Sequence, residues 1–340
     1  MDAIAYERAA DIAGAVRAAR EPGVAFIGGG TNLLDLMKGG VERPVRLVDI
    51  THLRDEGLDT ISARQDGGIR IGALMRNSDA ANHALVREKY PLLTQALLAG
   101  ASAQLRNMAT IGGNLMQRTR CPYFYDTAFA GCNKRRPGSG CSAIDGHHRT
   151  HAIFGFSEAC IAVNPSDMCV ALAALDATVQ VVGPNGAREI PIGGFHRLPG
   201  DRPDLDTTLQ PGELITAVDL PPSALSARTS YLKIRDRASY AFALVSVAVA
   251  LRLQGEKIEA VHIALGGVAH KPWRATIAEG MLIGQPLGDN VLRDAAAAQM
   301  RDARPLRDNR FKVTLAERAM VRAVNVAAGR QTRGVTGEPA

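Results

Sequence analysis

Two glycine-rich loops, followed by four cysteines in one irregular stretch, constrain this chain more than any other feature. The loops read AFIGGGTNLL (Ala25 to Leu34) and ATIGGNL (Ala109 to Leu115). Glycine lets backbone N–H groups approach an anion closely, so the loops indicate a phosphate-bearing cofactor. The four cysteines are Cys121, Cys132, Cys141 and Cys160. Four thiols in one segment indicate a metal or iron–sulfur centre, and together the features predict a redox subunit that holds a nucleotide-type cofactor beside a cluster.

Composition limits the class of protein without identifying it. With 340 residues the chain exceeds the usual size of a single core, which predicts two or three domains. The apolar content of 46% is typical of a globular protein, and no apolar run is long enough to cross a bilayer, so membrane insertion is not expected. The first twenty residues carry charges throughout and contain no apolar signal segment. We therefore expect a cytoplasmic protein, or a periplasmic one if the folded chain is exported with a signal-bearing partner.

The charge balance is only mildly basic. Lys and Arg outnumber Asp and Glu by 40 to 34, a formal net charge of +6. This fits either an ordinary soluble surface or a basic face for an anionic cofactor or an acidic partner. Aromatic residues make up 4% and no basic block carries interleaved aromatics, so nucleic-acid binding is not expected. A chain of this size does not need a disulfide framework, and Cys169, in an apolar run, is expected to be a small buried hydrophobic residue.

Apolar periodicity predicts an α+β fold. Residues 1–53 contain a strand, a helix and two further strands, and the middle strand runs into the first glycine loop. The segment SDAANHALVREKY predicts a helix with Ser78 as its N-cap, and PLLTQALLAGAS predicts a helix that begins at Pro91. A hairpin turn is expected at residues 184–186, and the apolar segment SYAFALVSVAVAL is compatible with a helix. Residues 117 to about 157 have no regular period, which is typical of a functional loop held by a cofactor.

Each glycine loop alone is a weak signal for phosphate. The first lacks the third glycine of a G-x-G-x-x-G fingerprint and the Lys-Ser/Thr end of a P-loop, so a simple tight turn is an alternative. The pair is more informative, because two loops with Thr and Asn beside glycines supply donors to a pyrophosphate from opposite sides. Asp167 is a candidate acceptor for ribose hydroxyls or an adenine amine, or else a carboxylate at a helix N-terminus. Lys233 and Arg237 either compensate the negative charge of a reduced flavin or pair with surface carboxylates.

The cysteine spacing indicates a centre but not its metal. No C-x-x-C pair is present, which excludes the usual zinc ribbon and the bacterial ferredoxin pattern. Ligation by four thiolates suits zinc or an iron–sulfur cluster. The nearby His147, His148 and His151 keep a Cys/His zinc site open as well. The sequence has no Ser-His-Asp order and no H-E-x-x-H motif, so the chemistry is expected to come from cofactors.

These motifs closely resemble the FAD-binding medium subunit of the molybdenum hydroxylases, the family of xanthine dehydrogenase and aldehyde oxidoreductase. GGGTNLLDLMK and TIGGNL resemble its two flavin loops, NPSDM its aspartate segment, and YLKIRDRASYAFALVSVA the start of its C-terminal domain. The match runs from residue 1 to about 328 in the expected order. The cysteine-rich stretch is similar to an expansion in the flavin subunit of bacterial three-subunit aldehyde oxidoreductases, periplasmic in the best-known case, which carries a [4Fe–4S] cluster there.

The resemblance implies an α+β fold with a two-subdomain FAD-binding domain of the vanillyl-alcohol-oxidase (PCMH) type and a smaller α+β C-terminal domain. The implied boundaries are 1–225 for the FAD-binding domain, with subdomains of about 1–53 and 54–225 and a cluster insertion at about 117–160, then 228–330 for the C-terminal domain and 331–340 for a flexible tail. We expect the cluster to staple the long insertion rather than to carry electrons.

The resemblance also implies the site residues. The FAD diphosphate would lie against Ala25, Phe26, Ile27, Gly28, Gly29, Gly30, Thr31, Asn32 and Leu33, completed by Thr110, Gly113 and Asn114. Asp167 would hold the adenosine side of FAD, and Lys233 would lie near the isoalloxazine ring. The implied ligands of the [4Fe–4S] cluster are Cys121, Cys132, Cys141 and Cys160.

The implied function is electron transfer within a complex. A large partner subunit would oxidise an aldehyde with water to a carboxylic acid at a molybdenum cofactor. Two [2Fe–2S] clusters on a small partner subunit would pass the electrons to FAD on this chain, and FAD would deliver them to an external acceptor. One alternative is the flavin subunit of an N-heterocycle hydroxylase of the xanthine dehydrogenase type, or of a carbon monoxide dehydrogenase-like enzyme. Another is a zinc-stabilised nucleotide-binding module.

Overall fold

Three β-sheets with helices packed against them make up the part of the chain that the structure, a computed structural model, describes: residues 3–222 and 225–330. This confirms the α+β class. The tail expected at 331–340 lies outside the described residues. No helix within these two ranges is long and apolar enough to cross a membrane, and the compartment stays a prediction.

The N-terminal sheet is parallel and its strands are short. It consists of β1 (Ala5–Arg8), β2 (Val24–Ile27) and β3 (Arg46–Asp49) in the order β1-β3-β2. Helices α1 (Ile12–Ala18) and α2 (Leu33–Lys38) follow the first two strands, and a 3-10 helix spans Leu53–Glu56. This agrees with the elements predicted for residues 1–53. It puts the first glycine loop at the carboxyl end of β2, where ligands of parallel sheets commonly bind.

The second sheet is antiparallel. Its strands β4 (Ile61–Ala63), β5 (Ile69–Gly72), β6 (Thr178–Gly183), β7 (Gly186–Pro191) and β8 (Leu214–Leu220) are ordered β4-β5-β8-β6-β7. The helices that accompany it are α3 (Asn77–Asn82), α4 (Ala84–Lys89), α5 (Pro91–Ala99), α6 (Ala103–Arg106), α7 (Ile111–Leu115), α8 (Pro122–Tyr125), α9 (Ser142–Asp145), α10 (Asp167–Ala174) and α11 (Ile192–Phe195). The predicted hairpin is present, with Pro184 and Asn185 as the turn between β6 and β7.

The prediction of one helix capped by Ser78 was wrong. His83 has extended dihedrals, φ −69° and ψ 134°, and separates α3 from α4. The N-cap of α3 is Arg76, while the Ser78 hydroxyl lies 2.5 Å from the Asn107 side-chain oxygen. Ser78 therefore bonds to a neighbouring segment instead of capping its own helix. The helix predicted to begin at Pro91 does begin there.

The C-terminal part is an antiparallel sheet covered by helices. Its strands are β9 (Arg228–Ile234), β10 (Val245–Gln254), β11 (Lys257–Gly266) and β12 (Trp273–Arg274), in the order β12-β11-β10-β9. Its helices are α12 (Thr276–Leu282), α13 (Asp289–Gln299) and α14 (Phe311–Ala327). Helix α14 packs on β10 from one side, and α10 of the preceding part of the chain packs on it from the other.

The helix considered for SYAFALVSVAVAL was also wrong, because most of this segment is β10. Val247 and Val249 face the core formed with α12–α14, while Ala248 and Ala250 face the core that contains α10. A strand buried on both faces is apolar throughout, so its sequence loses the alternation that usually reveals a strand.

Candidate functional site

The two glycine loops lie side by side and are joined by hydrogen bonds. The first, residues 28–32, connects β2 to α2, and the second begins at Thr110, the N-cap of α7. The Asn32 side-chain amide donates to the Gly113 carbonyl at 2.9 Å. The Thr110 hydroxyl accepts from the Gly113 N–H at 3.1 Å. The loops therefore form one structure rather than two independent turns.

Close approach of the loops requires glycine at position 29. A Cβ on Gly29 would lie 1.9 Å from the carbonyl oxygen of Met108, a backbone atom just before the second loop. Gly30 has a φ of +72°, in the left-handed region that favours glycine. The sequence predicted that these glycines admit a phosphate. The structure gives Gly29 a more direct role, which is to let one loop touch the other.

Two cavities open from the loops. The first, of about 330 Å³, is lined by Ala25, Phe26, Ile27, Gly28, Gly29, Gly30, Thr31, Asn32, Leu33, Thr110 and Gly113. The second, of about 350 Å³, is lined by Asn114, Asp167 and Lys233 among others. The two cavities share Thr31 and Asn32. A dinucleotide fits this arrangement, because its two ends need separate concave sites and its diphosphate needs the small residues and polar donors between them.

Asp167 and Lys233 form a buried ion pair in the second cavity. The Lys233 ammonium donates to the Asp167 carboxylate at 2.7 Å and to the Ala99 carbonyl at 3.1 Å. The Tyr231 hydroxyl donates to the other Asp167 oxygen at 2.6 Å, and burial raises the pKa of Tyr231 well above its ordinary value. The resemblance placed Asp167 and Lys233 toward opposite ends of FAD. The structure brings them together, so they lie at the same end of the site.

Breaking this pair is expected to destabilise the protein strongly. Lys233→Met leaves the Asp167 carboxylate buried beside Tyr231 without its cation, a loss of about 3 kcal/mol in the free energy of unfolding. The double variant Asp167→Asn, Lys233→Met removes both charges and is expected to regain part of that loss. Urea unfolding of the three proteins measures both effects. A single variant as stable as the unmodified protein would contradict the assignment.

The four predicted cysteine ligands lie around one small cavity within the irregular insertion. Cys121, Cys132, Cys141 and Cys160 all line it, and Cys132 pairs with Cys141 in an isolated antiparallel bridge. Burial raises the pKa of Cys121 to about 12 and that of Cys160 to about 11. Buried thiolates need a cationic centre to compensate their charge, so this donor set fits a metal-containing group. Cys169 is fully buried in α10, as predicted.

A buried lysine ties the insertion to the rest of the chain. Lys134, between two of the cysteines, bonds to the Pro203 carbonyl at 2.8 Å and to the Asp206 carboxylate. Asp206 also accepts from Arg118 at 2.6 Å. Burial acts to raise the pKa of Asp206, but Lys134 and Arg118 outweigh it and hold this pKa below its ordinary value.

The ion pair between Lys134 and Asp206 predicts that the protein loses stability in acid. A carboxyl whose folded pKa is depressed contributes stability above its unfolded pKa of about 3.9 and loses it as the pH falls through the folded value. We expect Asp206→Asn to lower the free energy of unfolding by about 3 kcal/mol at pH 7, since Lys134 is left unpaired. Below pH 4 the difference between the two proteins is expected to shrink. Denaturant unfolding at pH 7 and pH 3 checks this, and a difference that does not depend on pH would contradict it.

Arg120 connects the cysteine cavity to the first glycine loop. It directly precedes Cys121, and its guanidinium donates to the Asn32 side-chain oxygen at 2.6 Å and to Asp35 at 3.3 Å. It also lies over the Phe242 ring, 5.2 Å from the centroid. Its Nε atom is buried and has no hydrogen-bond partner among the described residues. Nothing in the sequence singled out Arg120.

Two buried histidines contact the cysteines. The Nε2 atom of His151 lies 3.1 Å from the Cys121 sulfur, and that of His270 lies 3.3 Å from the Cys160 sulfur. Burial lowers the pKa of His151 to about 4 and that of His270 to about 3. His148 is buried against the Ala143 carbonyl, and His147 is exposed. Nothing in the sequence linked His270 to Cys160, because 110 residues separate them and no motif connects them.

Comparison with known families shows which family the chain belongs to. A family model described as the FAD binding domain in molybdopterin dehydrogenase matches residues 2–223, and a second, described as the CO dehydrogenase flavoprotein C-terminal domain, matches residues 230–327. The chain belongs to the FAD-binding subunits of the molybdenum hydroxylases. The family confirms FAD as the cofactor and an oxidoreductase complex as its setting.

Similar proteins match this chain over most of its length. The chain is 52% identical over 322 residues to the aldehyde oxidoreductase FAD-binding subunit PaoB of Escherichia coli, covering 94% of this chain and 96% of that one. It is 30% identical to the glyceraldehyde dehydrogenase medium chain of Sulfolobus acidocaldarius, over 84% of this chain and 82% of that one. The fold matches carbon monoxide dehydrogenase of Hydrogenophaga pseudoflava with a TM-score of 0.75 at 24% identity, over 97% of this chain and 99% of that one.

Proposed function

We propose that this chain is the FAD-binding electron-transfer subunit of a three-subunit molybdenum-dependent aldehyde oxidoreductase and that it also holds a [4Fe–4S] cluster. The observation that carries the proposal is the 52% identity, over almost the whole chain, to the aldehyde oxidoreductase subunit of Escherichia coli. Its partners would be a large subunit with the molybdenum cofactor and a small subunit with two [2Fe–2S] clusters. Aldehyde and water would become carboxylic acid on the large subunit.

The residues of this chain would bind FAD across both cavities. The loop residues 25–33, Thr110 and Gly113 would hold the diphosphate and the part of FAD in the first cavity, with Asn32 and Thr31 at the crossing point. Asn114 and the Asp167–Lys233 pair would contact the part in the second. When bound, FAD supplies a group that exchanges one or two electrons. The chain orients it, excludes water from it and holds fixed charges near it.

The similarity of the cysteine-rich insertion to that of the bacterial three-subunit aldehyde oxidoreductases favours an iron–sulfur cluster over zinc. Four cysteine thiolates alone suit either zinc or an iron–sulfur cluster. The four cysteines line one cavity, so each would supply one thiolate to one of the four irons.

The competing proposal is an N-heterocycle hydroxylase, since the fold also matches quinoline 2-oxidoreductase of Pseudomonas putida with a TM-score of 0.74 at 24% identity. The test is anaerobic mixing of the purified three-subunit complex with an aromatic aldehyde or with xanthine or quinoline, while FAD bleaching is followed by absorption. Rapid bleaching by the aldehyde alone is expected. Bleaching by a heterocycle but not by the aldehyde would reject the proposed substrate class, and a colourless chain that contains zinc would reject both.

A further inference from the structure

Two buried histidines from distant parts of the chain each direct one ring nitrogen at a cysteine of the proposed cluster. His151 is 2% exposed and belongs to the end of the insertion, and His270 is 8% exposed and follows β11. The contacts measure 3.1 Å to Cys121 and 3.3 Å to Cys160. Both are within the range of a hydrogen bond to sulfur. The proposed function does not assign either histidine a role.

The chemistry of the sulfur decides which atom donates. A thiolate bound to iron carries no proton and only accepts hydrogen bonds. A ring nitrogen at this distance must therefore carry the hydrogen, so Nε2 is the donor in both residues. The other ring nitrogens, Nδ1 of His151 and of His270, are buried and have no hydrogen-bond partner among the described residues. In the described structure, each imidazole thus makes its polar side-chain contact with a cysteine.

Contacts with the C-terminal domain hold the backbone at both histidines in place. Lys312 is fully buried and donates to the His151 carbonyl at 2.8 Å, and Asn309 donates to the same oxygen at 3.3 Å. Close to His270, the Ile153 N–H donates to the Val268 carbonyl at 2.9 Å. These contacts hold the insertion against the segment that carries His270. The backbone positions of the two histidines are therefore set by tertiary structure rather than by the cluster itself.

We propose that His151 and His270 are positioning residues that donate N–H···S hydrogen bonds to Cys121 and Cys160 and raise the reduction potential of the cluster. The inference rests on the proposed function in so far as it needs the cluster. Reduction adds negative charge to the cluster and its thiolates, and donors aimed at the sulfurs stabilise that charge. Each donor also holds its cysteine in the orientation that binds iron.

The test compares leucine and glutamine at each position in the purified full-length chain. His270→Leu and His151→Leu remove the donor, whereas His270→Gln and His151→Gln keep an N–H at a similar distance from the backbone. The reduction midpoint of the cluster is measured by electron paramagnetic resonance during a redox titration, with iron counted on the same samples. We expect a lower midpoint in each Leu variant and recovery toward the original value in the Gln variant. The control, His262→Gln, alters a histidine bonded to the Ala174 carbonyl and is expected to leave the midpoint unchanged.

The outcomes separate this inference from the proposed function. Unmodified protein without iron would reject the cluster and with it the inference. Full iron content with the original midpoint in both Leu variants would reject the inference alone. If the Leu variants lose iron, nitrogen hyperfine coupling in unmodified, reduced protein labelled with [15N]histidine decides the matter. Weak coupling supports hydrogen bonding to the ligands, while the absence of coupling, or the strong coupling of a directly bound nitrogen, overturns it.

Discussion

Replacement of Gly29 by valine is expected to release FAD from the chain. The new Cβ would lie 1.9 Å from the Met108 carbonyl oxygen, so one loop must move away from the other. The movement breaks the alignment that the Asn32–Gly113 hydrogen bond maintains at the proposed diphosphate site. We expect FAD affinity to fall at least tenfold, which corresponds to about 1.4 kcal/mol. Flavin content after gel filtration and the dissociation constant from fluorescence titration measure the effect.

A matched control is available for Gly29. Gly280, in α12, has no atom within 4 Å of the position that a Cβ would take. Gly280→Ala is therefore expected to retain FAD and to unfold at the same denaturant concentration or a slightly higher one, because alanine favours a helix by about 1 kcal/mol over glycine. Normal flavin content in Gly29→Val would reject the role assigned to the first loop.

Replacement of Cys132 by serine is expected to remove the cluster while leaving FAD in place. Cys132 is 9% exposed, lines the cavity shared by the four thiols and pairs with Cys141. A serine hydroxyl does not replace a thiolate as a soft ligand for iron. Iron is expected to fall from about four atoms per chain to below about one. Since metal binding also stabilises the segment that supplies the ligands, the insertion is expected to become more sensitive to proteolysis.

Cys169 provides the control for this experiment. It is fully buried in α10 outside the cysteine cavity, so the Cys169→Ala variant is expected to contain as much iron as the unmodified protein. Full iron retention in Cys132→Ser would remove this residue from the ligand set. The Cys132→Ser variant also tests the expectation that the cluster stabilises the insertion and does not carry electrons. If the assembled complex still reduces its FAD with aldehyde at the original rate, electrons do not pass through the cluster.

The sequence predicted the parts of the site that are local. The loops at residues 28–32 and 110–114 each follow from a short run of glycine, threonine and asparagine, and the four cysteines are evident without a structure. The pairing of Asp167 with Lys233 was not predictable, because 66 residues separate them in the sequence. His270 was missed for the same reason. Local patterns predict which residues bind a cofactor, whereas the residues that support those ligands from behind are brought there by tertiary contacts.

The strand β10 was not predicted, for a different physical reason. Its alanines face one core and its valines the other, and Ser246 is the only polar residue from Val245 to Leu251. With so few polar residues, helix and strand periods are hard to distinguish over a segment of this length. Tertiary burial on both sides thus hid the strand, and an intrinsic helix preference did not decide the outcome.

The burial of β10 on both faces also has a consequence for how this flavoprotein unfolds. Family comparison divides the chain between residues 223 and 230, yet Ala248 and Ala250 complete the core on the FAD-binding side. Removal of the C-terminal domain would expose α10 and leave that core open. The boundary between the two family models is therefore not a boundary between two independently stable units. The parts matched by the two family models are expected to unfold together in a single cooperative thermal transition.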